Sequence, residues 1–155
     1  MICYSNNISF FSNSYKSLSI VSNSTTRKHA SNHAINSPKR GEIYLIDFGV
    51  NVGSELNNIH MGIIVQSSYK NNVSNTVVVV PISSSPKLYD THEQITSSDI
   101  KSGHLNKLPS KAKSEQITCI DKSRIIHKIG SVTPDFMSRL DIKILKNLGI
   151  QHFAA

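Results

Sequence analysis

The sequence predicts a small, mostly antiparallel β barrel or strongly curved sheet, closed by a C-terminal helix. Three stretches predict it. Glu42–Phe48 and Ile59–Gln66 are short apolar, β-prone runs around a polar loop, and Thr76–Ile82 is almost continuous valine. The segment after Thr133 instead has apolar residues at helical spacing. Period-two and period-3.6 patterns in one short chain favour a sheet with a terminal helix over a helical bundle.

In the first hairpin, the consecutive Ile63, Ile64 and Val65 are expected on a strand buried on both faces. The ten residues between the two runs hold two glycines, three asparagines, a serine and Glu55. A loop this polar between apolar strands is where a small β domain usually places its function. Ser67–Asn75 reads as a polar turn. In Thr76–Ile82 the β-branched side chains are stiff at χ1 and suit a pleated surface. Pro81 is expected at that strand's end or on an edge, because it cannot donate to a ladder. His92–Ile95 reads as a short strand, 97–110 as irregular chain broken by Gly103 and Pro109, and Lys113–Ile120 and Arg124–Ile129 as two further strands. For the helix, Thr133 is the N-cap, Pro134 the first residue and Asp135 the complement to the dipole. Met137, Leu140, Ile144 and Leu148 form its apolar stripe, read as core packing, and Gly149 is the stop.

Residues 1–38 read differently. Ten serines and six asparagines fall there, and no acidic residue precedes Glu42. The apolar scraps are too short to bury themselves, so a disordered extension is expected. Organellar transit peptides share this composition, but Arg27 is the segment's single arginine. The domain is therefore placed at residues 39–155.

The 155 residues are one domain's worth of chain, with a net charge of +7 and a pI of about 9.5. Three basic residues lie in the extension, leaving fourteen against ten acidic ones elsewhere. An anionic partner is favoured. Cys3 and Cys119 are too few for a disulfide framework and match no metal-ligand spacing, so no metal or cofactor is expected. Cys119 reads as a small apolar strand residue. No apolar run approaches the ~18 residues of a membrane helix, so a soluble, cytoplasmic protein is expected.

Several segments together carry a family resemblance: Arg40-Gly41-Glu42-Ile43-Tyr44-Leu45-Ile46-Asp47-Phe48, Gly53-Ser54-Glu55, Ile64-Val65-Gln66 and Pro81-Ile82-Ser83-Ser84. Glu115-Gln116-Ile117, Ile120 to Ile125 and Lys128-Ile129-Gly130 follow in the same order. Over residues 39–150 the chain resembles the MazF/PemK toxin endoribonucleases. The resemblance implies a small SH3-like barrel of the MazF/CcdB type and a homodimer with a groove shared by both subunits. It implies metal-independent cleavage of single-stranded RNA (mRNA in the cell) by 2′-hydroxyl attack, leaving 2′,3′-cyclic phosphate and 5′-hydroxyl ends. A cognate antitoxin would block the groove, and DNA would be met only through the antitoxin complex.

The family's catalytic positions fall on Glu55, His60 and Ser83. RNA-binding roles would fall on Arg40, Asn57, Asn58, Ser84, Lys113 and Gln116. Two departures stand out. The usual Arg-Pro after the loop is His60-Met61, and Thr118 stands where relatives often carry arginine. Arginine is permanently charged and forks onto phosphate, whereas imidazole changes charge near neutrality, so His60 would work as acid, base or cation. Ser83 in place of threonine keeps the hydroxyl.

Each position also has a structural reading: a solvated loop carboxylate for Glu55, a strand residue for His60, turn chemistry for Ser83. Lys107, Lys111 and Lys113 read as a solvated basic patch, and His92 and His104 have no partner recognisable from spacing. Two functions remain open: an active nuclease, or a catalytically inactive homologue that binds single-stranded RNA or a protein through the same groove.

Overall fold

The computed structural model describes residues 37–150. The expectation of a disordered extension falls almost wholly outside them. Its last residue, Pro38, is fully buried and accepts a 2.7 Å hydrogen bond from Asn71 Nδ2, so the fold already includes it.

Eight strands and two α-helices follow in order: β1 Glu42–Asp47, β2 Ile59–Ile64, α1 Ser68–Val73, β3 Thr76–Ser83, β4 His92–Ile95, β5 Ile100–Gly103, β6 Ser110–Lys113, β7 Thr118–Asp121, β8 Ile125–Val132 and α2 Pro134–Asn147. The strands form an antiparallel half-barrel in the order β4-β6-β3-β2-β1-β8-β5, with β7 also on β3. Among the described residues no helix is long and apolar enough to cross a membrane.

The central ribbon β1-β2-β3 is buried on both faces. Ile43, Ile63, Val80 and Ile82 join Phe136, Met137 and Leu140 of α2 in one cluster. Tyr44, Ile46, Ile64, Val77 and Val79 form a second cluster with Phe48, Ile120 and Ile125. Strict alternation along each strand sends neighbouring residues to opposite clusters, as the Ile63-Ile64-Val65 run predicts.

Four sequence expectations are corrected. Ser67–Asn75 is not a plain turn: Ser67 caps α1 by accepting from Lys70 N, and the helix is pinned by the fully buried Asn71, whose Nδ2 also reaches Gln66 O at 3.2 Å. Pro81 lies inside β3, where pairing with β7 stops at Val79 and pairing with β6 starts at Ile82. Its missing donor thus falls in a gap of the ladder. The 97–110 segment contains β5, which approaches β8 through glycine: a Cβ on Gly103 would come within 2.1 Å of Ile129 O. Lys113–Ile120 is not one strand, because the fully buried Ser114 turns the chain, its hydroxyl donating to Thr91 O at 2.6 Å and Lys143 O at 3.2 Å.

α2 starts and stops as its residues dictate. Thr133 Oγ1 accepts from Phe136 N at 3.3 Å, Pro134 is the first residue, and Gly149 takes φ +69° after the last turn. Phe136, outside the predicted stripe, is the fully buried anchor, whereas Leu148 is 56% exposed.

His92 proves to be a buried tether. Its Nδ1 accepts from Tyr89 N at 3.0 Å, leaving Nε2 to donate to Glu115 at 2.9 Å. Burial opposes ionisation of Glu115, but hydrogen bonds from His92 and the backbone, and the charge of Lys113, hold its carboxyl below the ordinary range.

A second polar knot, with Asp99 as its buried member, joins α2 to the 3-10 turn Ser97–Asp99. Arg139 donates to Asp99 and to Glu93, both at 2.7 Å, and Thr96 supplies its N–H at 2.9 Å and hydroxyl at 2.7 Å to Asp99. Burial works against the Asp99 charge, yet these donors and the guanidinium outweigh it and hold the carboxyl below its ordinary 3.8. A depressed folded-state pKa gives stability that is complete above the unfolded value and is lost as pH falls through the folded one. The urea midpoint is therefore expected to drop between about pH 5 and about pH 3, and Asp99→Asn, less stable at pH 5, to drop less steeply. An equally steep drop in the variant would assign the acid sensitivity to other carboxylates.

Candidate active site

The loop between β1 and β2 is built by its own polar side chains. Phe48 N donates to Asn58 O at 2.9 Å and Asn58 N to Gly49 O at 2.7 Å, closing the neck. Gly49 (φ +80°) and Asn58 (φ 66°) both take the left-handed conformation that glycine and asparagine tolerate best. Asn51 N donates to Asn57 Oδ1 at 2.5 Å, and Asn57 Nδ2 donates to Glu55 O at 3.0 Å. The asparagines expected to touch RNA thus shape the loop that presents Glu55. That carboxylate is exposed and accepts from Val52 N at 3.0 Å.

His60 lies on β2 opposite Ile46 of the second cluster. A Cβ on Gly62, two residues on, would meet Ile46 Cδ1 at 2.8 Å and Phe48 Cζ at 3.6 Å, so this face of β2 looks onto that cluster. Ser83 shares the parity of Val77 and Val79, which belong to the same cluster. The β2–β3 register ends at Gly62 and Pro81, and His60 and Ser83 lie two residues beyond that pair. Both residues border one cavity. Ser83 Oγ accepts from Ser85 N at 3.2 Å, which leaves its O–H free to donate.

A cavity of about 520 Å³ opens beside the second cluster. Phe48, Leu56 and Ile120 of the second cluster form its floor, and Glu55, Gln116 and Arg124 are on its walls. Gln116 Nε2 reaches across to Ser54 O at 3.4 Å, joining the β1–β2 loop to the segment before β7. Hydrogen bonds from the Ser123 hydroxyl and N–H, and the charge of Arg124, hold the Asp121 carboxyl at the rim below its usual range. His60, Ser83 and Ser84 border a different cavity, of about 510 Å³, with Met61, Ile82, Lys107 and His127. Glu55 does not line that second cavity.

The other expected RNA contacts are not gathered here. Arg40 pairs with Asp141 of α2 and donates to Val65 O, far along the ribbon from the hairpin loop. Lys113 lies 3.5 Å from Glu115, beside the His92 tether. Lys111 is not part of a solvated patch: it is 3% exposed, and its ammonium donates to Ser85 O at 2.7 Å. Cys119 is on β7 but exposed, not an apolar filler. Arg124 and His127 escaped sequence reasoning as site residues. Arg124 follows the Asp121-Lys122-Ser123 segment already singled out by the resemblance, and that was the available signal.

Carboxylate and guanidinium thus line one cavity, and imidazole and hydroxyl another. The set can move protons and support an anion without a further group.

Comparison with solved structures finds the same fold in bacterial toxins. A structure described as "Endoribonuclease from Mycobacterial species" has 21% identity and a TM-score of 0.62, covering 76% of this chain and 97% of that one. A second, described as an endoribonuclease in complex with its cognate antitoxin from Mycobacterial species, has 22% identity and a TM-score of 0.60, covering 77% and 100%. MazF from Deinococcus radiodurans has 17% identity and a TM-score of 0.62, covering 74% and 99%. At these identities the likeness establishes the fold. The family model for the PemK-like, MazF-like toxin of type II toxin–antitoxin systems matches residues 39–148, and the chain belongs to that family.

Proposed function

We propose that this chain is a metal-independent endoribonuclease toxin acting on single-stranded RNA. The placement of His60 and Ser83 along one cavity, at the base of the β1–β2 hairpin whose loop presents Glu55, carries the reading. The three side chains fit the three needs of phosphoryl transfer to a neighbouring hydroxyl. Glu55 takes the 2′-hydroxyl proton. The 2′ oxygen bonds to phosphorus while the bond to the 5′ oxygen breaks. Protonated His60 returns a proton to that 5′ oxygen, and the Ser83 hydroxyl donates to a non-bridging oxygen. The products are a 2′,3′-cyclic phosphate and a 5′-hydroxyl, so atoms and protons balance.

The chain works as a homodimer in this reading, with a groove that a cognate antitoxin covers. Relatives of the same fold have been solved with their antitoxins, and the loop exposes Val50 by 93% and Val52 by 81%, apolar surface that suits a partner. Induced expression in a bacterial host tests the function as a whole. The expected result is growth arrest together with new 5′-hydroxyl ends at one short sequence in cellular RNA, both lost in His60→Ala. Growth arrest without new ends would remove the nuclease reading and favour a toxin that acts by binding.

A further inference from the structure

The family resemblance leads one to expect guanidinium groups at positions 60 and 118, and this chain has His60 and Thr118 there. A phosphorane formed without metal still needs positive charge beside its oxygens. The arginines of the described residues differ sharply in what holds them. Arg40 is paired with Asp141, and Arg139 is paired with Glu93 and Asp99. Arg124 has no carboxylate within ion-pair distance among the described residues. Its one hydrogen bond runs from Nη1 to Asp47 O at 3.2 Å, so most of its donors are uncommitted. Asp121 feels its charge but is engaged by Ser123.

The berth of this guanidinium is built by the hairpin. A Cβ at position 49 would stand 2.7 Å from Arg124 Nη1, so Gly49 leaves the room in which the group lies, at the neck of the loop that presents Glu55. Arg124 then borders the same cavity as Glu55 and Gln116. A planar fork with free donors, fixed at one corner by a backbone carbonyl, is suited to two oxygens of one phosphate.

We infer that Arg124 is the phosphate-binding cation of this active site, supplying from the segment after β7 the charge that His60 and Thr118 do not. The inference rests on the nuclease reading above. It separates the work: His60 moves protons, and Arg124 offsets the charge that builds on the phosphate.

The test uses the full-length chain with Arg124→Ala and Arg124→Gln, the latter keeping a donor for Asp47 O without the charge. Cleavage of a long single-stranded RNA should fall by about 100-fold in both variants, and added guanidinium should restore part of it in Arg124→Ala. Binding of a 2′-O-methyl RNA oligonucleotide, which cannot be cut, gives a readout that a structural role would not move. Its log-log salt slope should be shallower by about 0.7 in each variant, as expected when one phosphate contact is lost from a single strand. Folded variants that cleave within twofold of wild type, or bind with an unchanged slope, would overturn the inference. A wild-type chain that binds but never cuts would remove the nuclease reading, while the slope would still decide whether Arg124 holds phosphate.

Discussion

His60→Ala should lower the rate of RNA cleavage by roughly 10²- to 10⁴-fold, the usual worth of a positioned proton-transfer group. Its place gives the reason: the imidazole stands on β2 and borders one cavity with Ser83. His60→Arg puts a permanent cation in place of the imidazole and should retain cleavage. Ser83→Ala, which removes one neutral donor, should cost less than His60→Ala. Initial rates on a fluorescent RNA oligonucleotide across pH would measure all three. An unchanged rate and pH profile in His60→Ala would move the proton transfer elsewhere.

Phe136→Ala should be the most damaging single truncation in the fold, costing about 3–5 kcal/mol. Phe136 is fully buried, lies in the cluster shared with Ile43, Ile63 and Val80, and anchors the first turn of α2 just after its Thr133 cap. A domain of this size has about 5–15 kcal/mol in total, so the variant would stand close to unfolding at growth temperature. Leu148→Ala, at a 56% exposed site, should change stability by only about 0.5 kcal/mol. Urea unfolding of the two variants is the comparison to make. Equal, small losses in both would mean that α2 does not close the first core cluster.

The legible parts of this fold are those governed by local chemistry. Ile63-Ile64-Val65 declared a doubly buried strand, and Thr133-Pro134 with Gly149 bracketed α2, because alternation and capping act over a few residues. The parts that escaped depend on distant partners. α1 is made of weak helix formers and persists because buried Asn71 bonds to Pro38 and Gln66 across the chain. Lys111 looked solvated until β6 folded it against Ser85 O. The site divides the same way. Glu55, His60 and Ser83 were named from the family motifs, whereas the berth of Arg124 under Gly49 exists only once the hairpin neck and the segment after β7 meet.

The most direct measurement is made on the purified full-length chain and on His60→Ala, each incubated with a long single-stranded RNA in EDTA. Discrete fragments ending in 2′,3′-cyclic phosphate and 5′-hydroxyl, formed by the wild type and not by the variant, are the predicted result. RNA left intact by a folded wild-type dimer over a range of sequences and pH would contradict it, and would make this groove one that binds without cutting.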